Sequence, residues 1–371
     1  MMRNKKMIRS GFGQRWFWWT VFSGLMMVLC IGCSSSGGGS DGGDNNSNGL
    51  LNGPYRMNLF ADSDTGMWNE INEIVFDGNG GLDWEIVYNS NSDTGSGSET
   101  YEIAADGTMT DPEDGIVSPD GSIFSMVDTD PTDADTEIDL GIGVEMSTGM
   151  DVSKLNGDYR ICQIRRDAGG TNTSRISINL DGAGVIAGSI EADSEDPGPY
   201  DPITGTYTVD DNGTMGMDIS IGGVPLPKDF TGIVSPDGNI FVILDTETPN
   251  DDEVLMMVGI KKSSGMSNAS LSGDYQMNMF GGDSPGVSTW TTRIDANFDG
   301  TGTITATILA DSGGDLNPPP DMSYTVNPDG TFSVTDTGDE GIIALGGDVF
   351  IIVDTDSSDN DVMIAIGIAK S

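Results

Sequence analysis

The stretch Arg293-Ile294-Asp295-Ala296-Asn297-Phe298-Asp299-Gly300-Thr301-Gly302-Thr303-Ile304-Thr305-Ala306-Thr307-Ile308 alternates apolar and polar residues on both sides of a glycine turn. Ile294, Ala296 and Phe298 share one face of the first half, and Ile304, Ala306 and Ile308 share one face of the second. Side chains of a strand point alternately to its two faces, so each half reads as a strand with one dry and one wet side. Asp299-Gly300-Thr301-Gly302 between them supplies the positive φ that a tight hairpin requires. The pattern continues: Tyr324 and Val326 precede Asn327-Pro328-Asp329-Gly330, and Phe332 and Val334 follow it. Consecutive hairpins make an antiparallel meander, and no window carries a helical period of useful length.

This meander belongs to a unit that occurs three times. Leu51-Asn52-Gly53-Pro54-Tyr55-Arg56, Leu155-Asn156-Gly157-Asp158-Tyr159-Arg160 and Leu271-Ser272-Gly273-Asp274-Tyr275-Gln276 open the copies, and the opening tyrosines are 104 and 116 residues apart. A late turn recurs as Gly115-Ile116-Val117-Ser118-Pro119-Asp120-Gly121 and Gly232-Ile233-Val234-Ser235-Pro236-Asp237-Gly238, and in altered form as Gly341-Ile342-Ile343-Ala344-Leu345-Gly346-Gly347. A period of this length is a whole small domain rather than a solenoid coil or propeller blade. About eight one-sided strands per copy predict an all-β chain of three tandem antiparallel eight-stranded up-and-down barrel-like units, with β-sandwiches as the alternative. The opening Gly-x-Tyr resembles the Gly-x-Trp that begins the lipocalin barrel, which implies the same up-and-down closure.

Phe350 to Val353, Val362 to Ile366, Ile240 to Leu244 and Val254 to Val258 are apolar on both faces. A strand buried on both sides packs against something outside its own barrel, so these strands are expected at contacts between neighbouring units. In the first unit Ile138, Leu140, Ile142 and Val144 alternate with Asp139, Gly141 and Gly143, which predicts a wet second face there. Tyr275, Met277, Met279, Phe298, Ile304, Ile308, Tyr324 and Phe332 are mostly large, which predicts barrels filled by their own side chains.

Ahead of the repeats, Arg3, Lys5, Lys6, Arg9 and Arg15 precede an apolar run from Trp16 to Leu29, which leads to Gly32-Cys33 and a Ser/Gly-rich segment. Cationic and apolar regions in this order form an export signal. The pattern resembles a bacterial lipoprotein signal, which implies lipidation of Cys33 after cleavage, and Ser34 in the following position implies sorting to the outer membrane. The expected organisation is a signal peptide over 1–32, a disordered Ser/Gly/Asp-rich tether over 33–49, and repeats over 50–150, 151–266 and 267–371. The membrane, reached through the lipid anchor, is then a partner.

Five of the 16 basic residues and none of the 59 acids precede Cys33, leaving a formal charge of −48 beyond it. Such a field repels nucleic acid and anionic lipid. The chain has no histidine, and Cys162 is the one cysteine outside the signal region, so disulfide frameworks, histidine triads and ordinary zinc sites are excluded. Cys162 lies in a strand-like stretch and reads as a small core hydrophobe.

One repeated constellation has a chemical rationale. Asp128, Asp130, Asp133 and Asp135 recur as Asp245, Glu247, Asn250 and Asp252, and as Asp354, Asp356, Asp359 and Asp361. Four oxygen side chains at fixed offsets in a loop are candidate Ca2+ ligands, against the alternative of a solvated acidic tip. No other cofactor is indicated, and no nucleophile elbow, phosphate loop or dinucleotide fingerprint stands in a suitable strand-to-helix setting. The expectation is a non-enzymatic, lipid-anchored cell-envelope protein with a structural, adhesive or interaction role. The alternatives are a barrel for small apolar ligands and a hydrolase using paired carboxylates.

Overall fold

A computed structural model describes residues 47–371 apart from 64–65, 112–113, 130–136, 168, 248–252, 284–287, 315 and 357–360. The signal, Cys33 and most of the tether lie outside the described residues. The first unit contains β1 (Asn52–Ser63), β2 (Gly66–Asp77), β3 (Gly81–Asn89), β4 (Ser96–Thr100), β5 (Glu102–Ile103), β6 (Thr108–Asp111), β7 (Gly115–Val117), β8 (Ile123–Asp128) and β9 (Ile138–Glu145). The second contains β10 (Asn156–Asp167), β11 (Gly170–Asp181), β12 (Val185–Asp193), β13 (Pro202–Val209), β14 (Thr214–Ile221), β15 (Val224–Pro225), β16 (Phe230–Val234), β17 (Ile240–Asp245) and β18 (Val254–Lys261). The third contains β19 (Ser272–Asp283), β20 (Thr289–Asp299), β21 (Thr303–Asp311), β22 (Met322–Val326), β23 (Thr331–Val334), β24 (Glu340–Ile343), β25 (Val349–Val353) and β26 (Asp361–Ala369).

All pairings are antiparallel; they join sequence neighbours apart from β14 with β16 and the pairing of each unit's first strand with its last, β1 with β9, β10 with β18 and β19 with β26. The third unit is a closed eight-stranded barrel, and β13 pairing with β14 closes the second, with β15 as an added hairpin arm. In the first, β4 and β5 are one strand interrupted at Tyr101, whose N–H donates to Gly80 O; Tyr207 and Tyr324 donate to Gly184 O and Gly302 O in the same way. The expected up-and-down meander is therefore the fold of all three units, and no helix among the described residues is long and apolar enough to cross a membrane.

Two tyrosines close the same end of every barrel. The opening Tyr55, Tyr159 and Tyr275 donate to the late-turn carbonyls of Gly121, Gly238 and Gly347, each at 2.7 Å. Tyr101, Tyr207 and Tyr324 donate to Leu51 O, Leu155 O and Leu271 O, binding the entering 3-10 turn to the wall. Each ring is buried, and its hydroxyl is satisfied, so the apolar gain is not offset by a stranded donor.

A second core lies outside the barrels. Phe60 and Leu140 of the first unit, Ile164 and Val242 of the second, and Phe280 and Ile351 of the third belong to one buried cluster spanning all three. The contacts are cyclic: β1 and β2 meet β17 and β18, β10 and β11 meet β25 and β26, and β19 and β20 meet β8 and β9. Matching side chains secure each contact. Asn69 Nδ2 donates to Asp245 O at 2.8 Å, Thr173 Oγ1 donates to Asp354 O, and Thr291 Oγ1 donates to Asp128 O at 2.6 Å. The strands apolar on both faces are thus the inter-unit contacts, as expected. A head-to-tail interface used three times closes a ring about a pseudo-threefold axis.

The expected wet face of β9 is corrected. Ile138, Leu140, Ile142 and Val144 line the central core, and the Asp139, Gly141 and Gly143 face is the barrel interior, with Asp139 itself buried. A Cβ on Gly143 would lie 2.1 Å from the Phe124 ring, and Gly259 and Gly367 stand equally close to Phe241 and Phe350. The glycines there record close approach of an aromatic ring, not contact with water.

Candidate functional site

The acidic loops all begin at one end of the ring, opposite the tyrosine-closed end. Asp130, Asp133, Asp135, Asn250, Asp252 and Asp359 lie outside the described residues. Of the others, Asp245 is buried and held by Lys228 Nζ at 2.7 Å, and its other oxygen accepts from Glu247 N at 3.0 Å. Asp354 Oδ1 accepts from Asp356 N at 2.8 Å. The backbone carbonyls of Asp128, Asp245 and Asp354 are the acceptors of the three inter-unit bonds above, so the first residue of each loop has an architectural task. Among the described residues no group of three or more acidic or cysteine side chains is placed to hold a metal ion. Cys162 is buried against the neighbouring units, and desolvation pushes its thiol up to about 12.

The three barrel interiors are not equivalent. In the first, Trp68 pairs across the ladder with Ala61 at the open end, and the Trp84 ring lies over Gly95 and Gly97. In the third, Trp290 pairs with Gly281 and lies over it, with Phe298 below. An indole over a small residue thus fills the mouth of both barrels. In the second unit the corresponding ladder pair is Asn172 with Arg165, and Gly188 stands where the first unit has Trp84. Leu180 likewise replaces Phe76 and Phe298. The wall is also taller, because β13 and β14 pair from Ile203 and Ile221 down to Val209 and Met215, whereas β22 and β23 pair over three residues.

Less filling within a taller wall leaves a cavity of about 220 Å3. Ile161, Ile176, Ile178, Ile186, Met217 and Leu255 form its apolar body. Its mouth carries Gln163, Arg165, Asp193, Lys228 and Glu253. Lys228 is shared between Asp245 and Glu253, the latter at 3.3 Å, and Arg165 pairs with the more exposed Glu195. Asp193 accepts from Ser174 Oγ at 2.6 Å. The expectation of filled barrels therefore holds for the first and third units and is corrected for the second. None of the mouth residues was a candidate in the sequence; the readable signal was the loss of Trp at positions 172 and 188 when the repeats are superposed.

The first barrel buries a carboxylate instead. Glu70 accepts from Asn89 Nδ2 at 2.6 Å and from Asn72 Nδ2 at 2.8 Å, and burial raises its carboxyl to about 7 despite both bonds. Glu99 is also raised to about 7 by desolvation.

No family model matches the chain and no curated protein matches it. Among solved structures, a mutant of transferrin-binding protein B from Haemophilus parasuis aligns at TM-score 0.31 and 8% identity over 85% of this chain and 75% of that one. Transferrin-binding protein B of Neisseria meningitidis aligns at 0.27 and 9% over 87% and 77%. A DUF3598-family protein of unknown function from Nostoc punctiforme aligns at 0.18 and 9% over 86% and 96%. At TM-scores of this size the alignments carry no argument about function.

Proposed function

We propose that this chain is a lipid-anchored cell-envelope binding protein whose second barrel is a cup for a small apolar ligand, with the first and third barrels as its rigid frame. The observation that carries the reading is the apolar cavity of about 220 Å3 in one barrel of a ring whose other two mouths are filled by indoles. Apolar concavities with a few convergent polar groups are where small molecules bind. A 150 Å3 apolar cavity is known to take benzene, so this one suits a molecule of about nine heavy atoms, the size of the indole that Trp84 places in the first barrel. The placement supports an envelope role. The chain enters at the tyrosine-closed end, so a tether from Cys33 would join the ring at the end opposite the mouth of the second barrel.

Met217 and Met257 both line the cavity and serve as local reporters. In the full chain labelled with 13C-methyl methionine, indole should shift both resonances saturably, and Met217→Trp should abolish the response at Met257. An unsaturable response, or one unchanged by Met217→Trp, removes the cup reading. The anchor is tested separately: Cys33→Ser should abolish incorporation of radiolabelled palmitate, and equal labelling would refute lipidation.

A further inference from the structure

We propose that the ligand of the second barrel carries an uncharged carbonyl head, as in a small ester, lactone or amide, received by the guanidinium of Arg165; this rests on the reading of that barrel as a binding cup. Arg165 occupies the mouth position that Gly281 holds beneath Trp290 in the third barrel, where an indole rather than a ligand covers the opening. Its side chain lines the cavity and one terminal nitrogen is engaged by Glu195, while the other, Nη1, has no protein partner and is not closed off from the mouth. A guanidinium donor left unpaired beside an apolar cavity gains from an acceptor that the ligand brings.

The charges around the mouth decide which acceptor fits. Arg165 and Lys228 are the cations, and Asp193, Glu195, Asp245 and Glu253 are the anions paired with or beside them. Lys228 is already bonded to two carboxylates. The anions outnumber the cations, so a free carboxylate on the ligand meets net repulsion in a partly desolvated setting, whereas a carbonyl oxygen meets the donor without that penalty. The mouth is therefore built to accept the neutral acyl derivative and to turn away the acid.

The test uses γ-octalactone and octanoate at pH 8, where the acid is fully ionised, with the methyl resonances of Met217 and Met257 in the full chain as the readout. The lactone is expected to bind at least tenfold more tightly than octanoate, and Arg165→Met is expected to weaken the lactone about tenfold, well beyond any change in indole binding. Octanoate binding as tightly as the lactone overturns the preference for a neutral head but leaves the cup reading standing. Unchanged lactone affinity in Arg165→Met overturns the assignment of Arg165. If neither compound nor indole shifts the reporters, the cup reading fails and this inference fails with it.

Discussion

Glu70 offers a quantitative test of the first barrel's interior. The residue is 4% exposed, and burial lifts the carboxyl from 4.5 to about 7. Because the folded value lies above the unfolded one, the native state holds a proton that the unfolded chain releases between these two limits. The group's contribution is therefore most favourable at or below pH 4.5, declines as pH rises through 7, and is flat beyond. At 1.36 kcal/mol per pKa unit the full span is about 3 kcal/mol. Roughly 2 kcal/mol of it falls between pH 5.5 and 8, a range that stays clear of the chain's isoelectric point near 4.1. Glu70→Gln keeps the shape and removes the charge. It also gives one of the two asparagine amides, Asn72 or Asn89, a donor to face instead of an acceptor, at a cost of about 1 kcal/mol. Urea unfolding of both proteins at each pH should thus show the glutamine variant gaining about 2 kcal/mol on wild type between pH 5.5 and 8. Using the difference cancels the repulsion among the surface acids, which is common to both. Parallel pH profiles would refute the argument that a desolvated carboxyl sits at this position.

Gly259→Ala should lower stability by about 1–3 kcal/mol, because the new Cβ would lie 2.1 Å from the Phe241 ring; chemical denaturation reads the loss, and adding Phe241→Leu should recover part of it. The third acidic loop is tested by calorimetric titration with Ca2+ in about 0.15 M salt, where loss of one saturable heat on Asp354→Asn with Asp356→Asn would support a metal site. Identical, unsaturable heats in both proteins would leave a solvated acidic tip.

Much of the fold was readable because hairpins are local. The alternation through Ile294, Ala296 and Phe298 sets a register that the structure keeps, with Ala296 opposite Ala306 and Phe298 opposite Ile304. The both-face apolarity of Phe350 to Val353 also announced the central core correctly. What failed was the meaning of small residues. Gly141 and Gly143 read as hydrophilic in a strand pattern, yet Gly143 is there because the Phe124 ring needs its space. Gly188 and Asn172 look ordinary in isolation; only their place opposite Trp84, Trp68 and Trp290 makes them the reason for a cavity. Arg165 and Lys228 were hidden because their significance depends on which barrel they enter, a property of three-dimensional closure rather than of spacing.

The ring itself explains why a single unit can depart from the others. Each connecting segment docks on the same turn of the next unit: Met150 N donates to Asp211 O, and Ser263 N to Asp329 O. The end of the third unit repeats this on the first, with Ser371 N donating to Asp106 O. Each unit thus covers the outward apolar face of another, and the shared core contributes stability that no barrel must supply from its own interior. At roughly 25 cal/mol per Å2 of apolar surface, removing an indole from a barrel mouth forfeits a few kcal/mol at most. A ring fixed by three like interfaces tolerates that loss in one member while its two filled neighbours hold the emptied wall in shape. Hollowing the second barrel is therefore a local change on a frame secured elsewhere, which is the condition a preformed binding cup requires.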